Sequence, residues 1–337
     1  MRSYEIKHRL KNVSKRLQDA AECTIGGCAN RVFSCPLAGI ELASISTLAS
    51  LNNKRKKVLF SYRHGFHAGN HADVLKHCVW LHVLDYFLNK DTGFLCVDTH
   101  AGAGLYDLAG KWANTRGEYL EGIGRLWQRD DCPAMVARYV KAVRAINEGD
   151  ELALYPGSPW LALDILRSQD RLRLFELLGA EAEVLQQNLK QQRRLPPRAI
   201  KLDMQDGFAS LKSLLPPPTR RGVVLIDPAY ENKQDYRHVV QTVKEGLQRF
   251  ATGCYLVWYP RVNRLQVDQM AKQIQRLPDV QWLQADLVVK QAPKDQHGLY
   301  GSGLLIINPP YTLKAQLKET LPWLSGVLAQ DDHAQWR

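Results

Sequence analysis

None of the seven cysteines (Cys23, Cys28, Cys35, Cys78, Cys96, Cys132 and Cys254) forms a CxxC pair, and their number is odd. That excludes a zinc knuckle built on paired cysteines and argues against a disulfide framework; reduced thiols in a cytoplasmic protein are expected. The chain also lacks any apolar run of the ~18–20 uncharged residues that a membrane span requires. Its best stretch, Val32 to Leu51, is interrupted by Glu41 and several serines. The dinucleotide fingerprint G-x-G-x-x-G is missing, and so is the H-E-x-x-H zinc pair. His64, His67, His71 and His77 are crowded together, but no glutamate lies between His67 and His71, so no metal is expected.

What remains is an ordinary globular composition, 45% hydrophobic and 23% charged over 337 residues. That length suits one large domain, or a core domain with an insertion. The formal charge of +11 is unevenly placed. Residues 1–57 hold 11 Lys and Arg against 4 acids, a net +7, and the body holds 34 against 30, a net +4. A surplus of that size is compatible with an RNA partner without demanding one. The first 57 residues show no sustained periodicity and read as an extension outside the fold. A transit segment, a basic arm ending in Lys54 to Lys57, and a start of translation at Val58 are the alternatives.

From Ser61 the pattern becomes regular. A polar stretch with glycines enters a helix near Ala72, with Leu75, Val79, Val83 and Phe87 at i+4 forming a buried stripe to about Leu88. Phe94 to Val97 is a short buried strand that ends in Asp98 and a glycine turn, Gly102 and Gly104. Further strands are expected at Arg171 to Phe175, Ala199 to Leu202, Val223 to Ile226, Cys254 to Tyr259, Trp282 to Lys290 and Ser302 to Asn308. These seven strands, separated by helical segments, predict a doubly wound α/β sheet whose last two strands form an antiparallel pair. The long interval after the first strand predicts an inserted small helical subdomain at about 105–155. Four strand ends carry acids: Asp98, Glu176, Asp206, and Asp227 followed by Pro228, Ala229 and Tyr230. In such sheets chemistry gathers at the carboxyl ends of the strands. Ser158, in a turn before a helix from Trp160 to Arg167, is either an N-cap or a ligand contact. Glu176 is placed to accept two ribose hydroxyls.

The stretch Asp98-Thr99-His100-Ala101-Gly102-Ala103-Gly104 resembles the glycine loop of class I methyltransferases that use S-adenosylmethionine. Asp227-Pro228-Ala229-Tyr230 resembles the Asp-Pro-Pro-Tyr signature of enzymes that methylate exocyclic amines of nucleobases. From Ser61 onward the chain resembles the RlmJ family, which methylates the N6 amine of one adenine in 23S ribosomal RNA. The carrying motifs are Ser61 to His64 with Phe66 to His77, Asp98 to Gly104, Gly117 to Ile123, Tyr155 to Pro159, Leu225 to Tyr230, Trp258 to Pro260 and Ile307 to Pro310. The resemblance implies a Rossmann-like fold, S-adenosylmethionine as methyl donor, 23S ribosomal RNA as partner, and a monomer. It implies donor contacts at His77, His100, Ser158, Glu176, Asp206 and Gly207, with Lys76, Asp98 and Gly102 in the same pocket. Asp227 would orient the target amine together with the Pro228 carbonyl, Tyr230 would stack on the flipped base, and Tyr62 and His64 would touch the RNA. Ala229 departs from the family, which usually has a second proline there. Leu177-Leu178 also departs, standing where relatives tend to have histidine and proline. A non-catalytic RNA-binding relative and a nucleotide-dependent oxidoreductase are the competing readings.

Overall fold

The computed structural model describes residues 64–109, 117–192, 194–293 and 298–337. The extension 1–57 and Tyr62 lie outside the described residues, and of His64 only the backbone is described, in a 3-10 turn.

The centre of the fold is β6, Gly222–Ile226, buried along its whole length. Its side chains alternate between two cores: Val223 and Leu225 on one face, Val224 and Ile226 on the other. That two-residue period is why a strand covered on both faces reads as a continuous apolar run. On one side of β6 lies β1 (Leu95–Asp98), then β4 (Arg171–Phe175) and β5 (Ile200–Asp203); on the other lies β7 (Cys254–Arg261). These five strands are parallel. Next to β7 comes β9 (Gly301–Ile307), antiparallel, and β8 (Trp282–Val288) completes a hairpin with it. The seven expected strands are present. An eighth, β10 (Gln335–Trp336), adds antiparallel to β8 and was not expected, being two residues long and exposed. The chain winds outward from β1 to β5 and returns to β6, so its direction reverses between β1 and β6, where ligands bind in open α/β sheets.

Helices cover both faces. One face carries α1 (His71–Leu88), and further along the chain α4 (Ser158–Ile165), α5 (Gly179–Gln191) and α9 (Leu313–Val327); the other carries α6 (Gly207–Leu211), α7 (Asp235–Arg249) and α8 (Leu265–Gln275). Asn70 caps α1: its side-chain oxygen accepts from the backbone N–H groups of Ala72 and Asp73 at 2.9 and 3.1 Å. A one-sided stripe was expected for α1, yet every residue from His71 to Leu81 is buried. The helix is enclosed because the sheet, α4 and the inserted segment all pack on it. That segment comprises α2 (Ile123–Leu126) and α3 (Ala134–Arg144) between two short strands, β2 (Leu105–Asp107) and β3 (Leu154–Pro156), which pair antiparallel. Tyr139 and Val143 of α3 belong to the same apolar cluster as α1, so the insertion shares the core of the body.

One arrangement depends on strand direction. Asn308-Pro309-Pro310-Tyr311 also follows a buried strand, but that strand is the antiparallel β9. Asn308, left-handed at φ +52°, donates from Nδ2 to the carbonyls of Ala251 and Gly253 at 2.7 and 2.8 Å, just before β7 begins. It therefore stands at the opposite end of the sheet from Asp227.

Candidate active site

Asp227 leaves the carboxyl end of β6 and its Oδ2 accepts a hydrogen bond from Lys76 Nζ at 2.6 Å. The same ammonium contacts Asp73 Oδ1 at 2.8 Å, and Asp73 Oδ2 accepts from the Gly69 N–H. Lys76 is only 3% exposed. Burial opposes its charge, but Asp227 and Asp73 outweigh that penalty and hold its pKa above the ordinary lysine value. Lys76, expected among the donor contacts, reaches from α1 to two carboxylates, one of them the expected catalytic acid.

Asp227 and Lys76 line a cavity of about 210 Å³ with Ala229, Trp258, Pro260 and Arg264 among its walls. Tyr230 also lines this cavity. It is 2% exposed, its ring packs on Tyr236 with centroids 4.6 Å apart, and its hydroxyl donates to the Trp258 carbonyl at 2.7 Å. Its backbone is left-handed at φ +54°. The half-buried Trp258, within β7, supplies aromatic surface on the cavity wall, with Lys76 Nζ 5.7 Å from its ring centroid.

The other expected residues gather around the ends of β1, β4 and β5. Asp98 is fully buried; it accepts from Ser158 Oγ at 2.6 Å and from the His100 N–H at 3.2 Å. Burial pushes its carboxyl up to about 6, and the Ser158 bond offsets part of that rise. Ser158 is thus neither an N-cap nor free for a ligand alone: Gly157 occupies the cap position, and the serine hydroxyl braces Asp98. Thr99 donates to the Leu225 carbonyl, so its oxygen accepts from His100 Nδ1 at 2.8 Å. Burial drives the His100 pKa down to about 3, keeping a neutral ring with Nε2 as acceptor.

Glu176 ties two loops together. Its Oε2 accepts from the Gly102 N–H at 2.8 Å and its Oε1 from the Leu178 N–H at 2.7 Å. Gly102 is left-handed at φ +59°, and a Cβ there would lie 2.4 Å from the Tyr106 hydroxyl. Asp206 caps α6, accepting from Phe208 N–H at 2.8 Å. At Gly207 a Cβ would fall 2.1 Å from the Thr99 carbonyl, so glycine is needed for the approach of two loops. His77 is fully buried and hydrogen-bonds through Nδ1 to the Tyr155 hydroxyl at 2.7 Å, which meets Tyr139 at 3.0 Å. Sequence reading missed Asp73 and Arg264, and gave no role to Trp258. Asp73 at i−3 from Lys76 was the one detectable signal, since helical residues three apart face each other.

Among the described residues no group of three or more His, Cys, Asp or Glu is arranged to hold a metal.

The family model described as RsmJ, "Ribosomal RNA large subunit methyltransferase D, RlmJ", matches residues 91–337. A Haemophilus influenzae protein named ribosomal RNA large subunit methyltransferase J is 44% identical over 82% of this chain and 97% of its own length. An Escherichia coli protein of the same name is 45% identical over 80% and 94%. A crystal structure from Legionella pneumophila superposes with a TM-score of 0.72, at 36% identity over 80% of this chain and 97% of that one. On these matches the chain belongs to the RlmJ family of ribosomal RNA large-subunit methyltransferases.

Proposed function

We propose that the chain transfers the methyl group of S-adenosylmethionine to the exocyclic N6 amine of a single adenine in 23S ribosomal RNA. The observation that carries this reading is Asp227-Pro228 at the end of β6, opening into a cavity walled by Trp258 and Pro260, beside the glycine turn after β1.

When bound, S-adenosylmethionine supplies a methyl carbon activated by its sulfonium. The residues present fit that group. The turn at Gly102 lets backbone come close where a side chain would clash, and Glu176 stands at the end of β4 with its carboxylate held by the Gly102 and Leu178 N–H groups. His100 Nε2 is an acceptor, and Asp206, Gly207, Ser158 and His77 border the same end of the sheet. Asp98 sits beneath as an internal brace, and Gly102 contributes backbone.

On the acceptor side, an adenine amine is a poor nucleophile because its lone pair is delocalised into the ring. Its two N–H groups donating to the Asp227 carboxylate and the Pro228 carbonyl would favour a pyramidal nitrogen, with the lone pair directed at the methyl group. The base has to leave its stack to reach this depth, and Trp258 offers the surface on which it can rest. After transfer the amine carries a positive charge, and one N–H proton must leave; the Asp227 carboxylate is the adjacent acceptor. None of these roles uses the side chain at 229, so Ala229 is compatible with activity. Tyr62 and His64 are assigned to RNA contact.

The test is incubation of 23S ribosomal RNA from cells lacking the modification with labelled donor and the protein, then mapping of the label. Label in one adenine is the expected result. A protein that binds the donor yet labels no ribosomal RNA would support the non-catalytic alternative instead.

A further inference from the structure

Tyr230 is a bulky residue in a left-handed conformation, which β-carbon sterics normally exclude. Such an outlier persists only where its surroundings over-determine it. Three contacts do so here. The hydroxyl is bonded to the Trp258 carbonyl and the ring lies against Tyr236. The third contact comes from outside that apolar cluster: Arg264 Nη1 donates to the Tyr230 carbonyl at 3.0 Å. Arg264 is half-buried on the cavity wall, immediately before α8.

The position of that bond matters because of what precedes Tyr230. Asp227 is secured at its side chain by Lys76, but the peptide units from Pro228 to Tyr230 lie beyond the strand and its ladder. Among the described residues, no backbone N–H donates to the carbonyls of Pro228, Ala229 or Tyr230. The guanidinium therefore closes the far end of the turn, and the strand closes the near end.

We propose that Arg264 is a positioning residue: by holding the carbonyl of left-handed Tyr230, it fixes the orientation of the Pro228 carbonyl and the Asp227 carboxylate toward the target amine. This rests on the reading of the cavity as the adenine site. Arg264 has five N–H donors and this contact uses one, so a phosphate of the RNA is the competing partner for the rest. The two roles separate kinetically. A group that aims the acceptors changes kcat, whereas a phosphate contact changes KM and the salt dependence.

Arg264→Gln, Arg264→Lys and Arg264→Ala are compared with wild type on unmodified ribosomal RNA, with donor affinity measured by calorimetry. The glutamine variant should lose about ten- to a hundredfold in kcat, the usual worth of a hydrogen bond from a charged donor. Its KM for RNA should stay within about threefold, its salt slope unchanged, and donor affinity intact. Lysine, able to reach the same carbonyl with a charge, should recover part of kcat, and alanine none. The opposite pattern overturns the proposal: kcat preserved while KM rises and the salt slope falls by about one. Unchanged kinetics overturn it too. Should the glutamine variant not fold, the alanine variant decides, since kcat equal to wild type with raised KM contradicts positioning. Asp227→Ala serves as control. If it is dead and wild type active while Arg264 variants are normal, only the Arg264 assignment fails; if wild type labels nothing, both fail.

Discussion

Replacing Lys76 by methionine tests the charge arrangement at the centre of the site. The ammonium is buried and contacts Asp227 at 2.6 Å and Asp73 at 2.8 Å. Methionine keeps the volume and removes the charge, leaving two carboxylate oxygens no farther apart than about 5.4 Å, the two contacts laid end to end. Removing one partner of a buried ion pair typically costs about 3–5 kcal/mol, because the remaining charge stays uncompensated. At about 2–4 °C per kcal/mol this lowers Tm by about 6–20 °C. The deficit should depend on pH with a definite sign. In the variant one carboxylate is forced to a raised pKa, and a raised acid contributes stability below its unfolded pKa near 3.9 that is lost as pH rises. The variant should therefore be nearer to wild type at pH 5 than at pH 8. Adding Asp227→Asn should recover part of the loss, a non-additive result expected of groups in contact. Denaturant titrations at the two pH values measure this directly. A deficit under about 1 kcal/mol at pH 8, or one independent of pH, would refute the view that Lys76 holds the two acids together.

Asp227→Ala should abolish methyl transfer while donor affinity by calorimetry stays near wild type, because Asp227 addresses the amine; Asp227→Asn should retain a trace at best. Glu176→Ala should weaken donor binding by about 1.5–3 kcal/mol, the value of hydrogen bonds to a charged group, and an unchanged affinity with a collapsed Tm would make it purely a loop brace. Tyr230→Phe should cost about 1–3 kcal/mol of stability, since the buried Trp258 carbonyl loses its donor; full stability with reduced RNA binding would return the ring to a stacking role.

The strands were legible because each is a short apolar run bounded by turn residues, and β6 shows how: Val223 to Ile226 serve two cores at once. β10 was not, since two exposed residues carry no such pattern. Acids at strand ends could be read as a row, and the structure brings Asp98, Glu176, Asp206 and Asp227 to one end of the sheet. Their partners could not be read. Lys76 meets Asp227 across 151 positions, and no local period encodes that distance. The direction of Tyr230 was hidden for another reason: it depends on one φ angle and on Trp258, Tyr236 and Arg264, three residues from other elements.

The placement of Asn308-Pro309-Pro310-Tyr311 bears on how such signatures are used. By its letters this quartet, with two prolines, matches Asp-Pro-Pro-Tyr at three of four positions, as Asp227-Pro228-Ala229-Tyr230 does. Yet β9 runs against its neighbour β7, so its carboxyl end opens at the edge where β7 begins. There Asn308 spends its amide on two backbone carbonyls, and Tyr311 stands 84% exposed against Tyr86, far from the glycine turn. A tetrapeptide is thus only half of an address, and the polarity of the strand that delivers it is the other half. A search for catalytic quartets that weighed strand direction would separate two matches that their letters leave level.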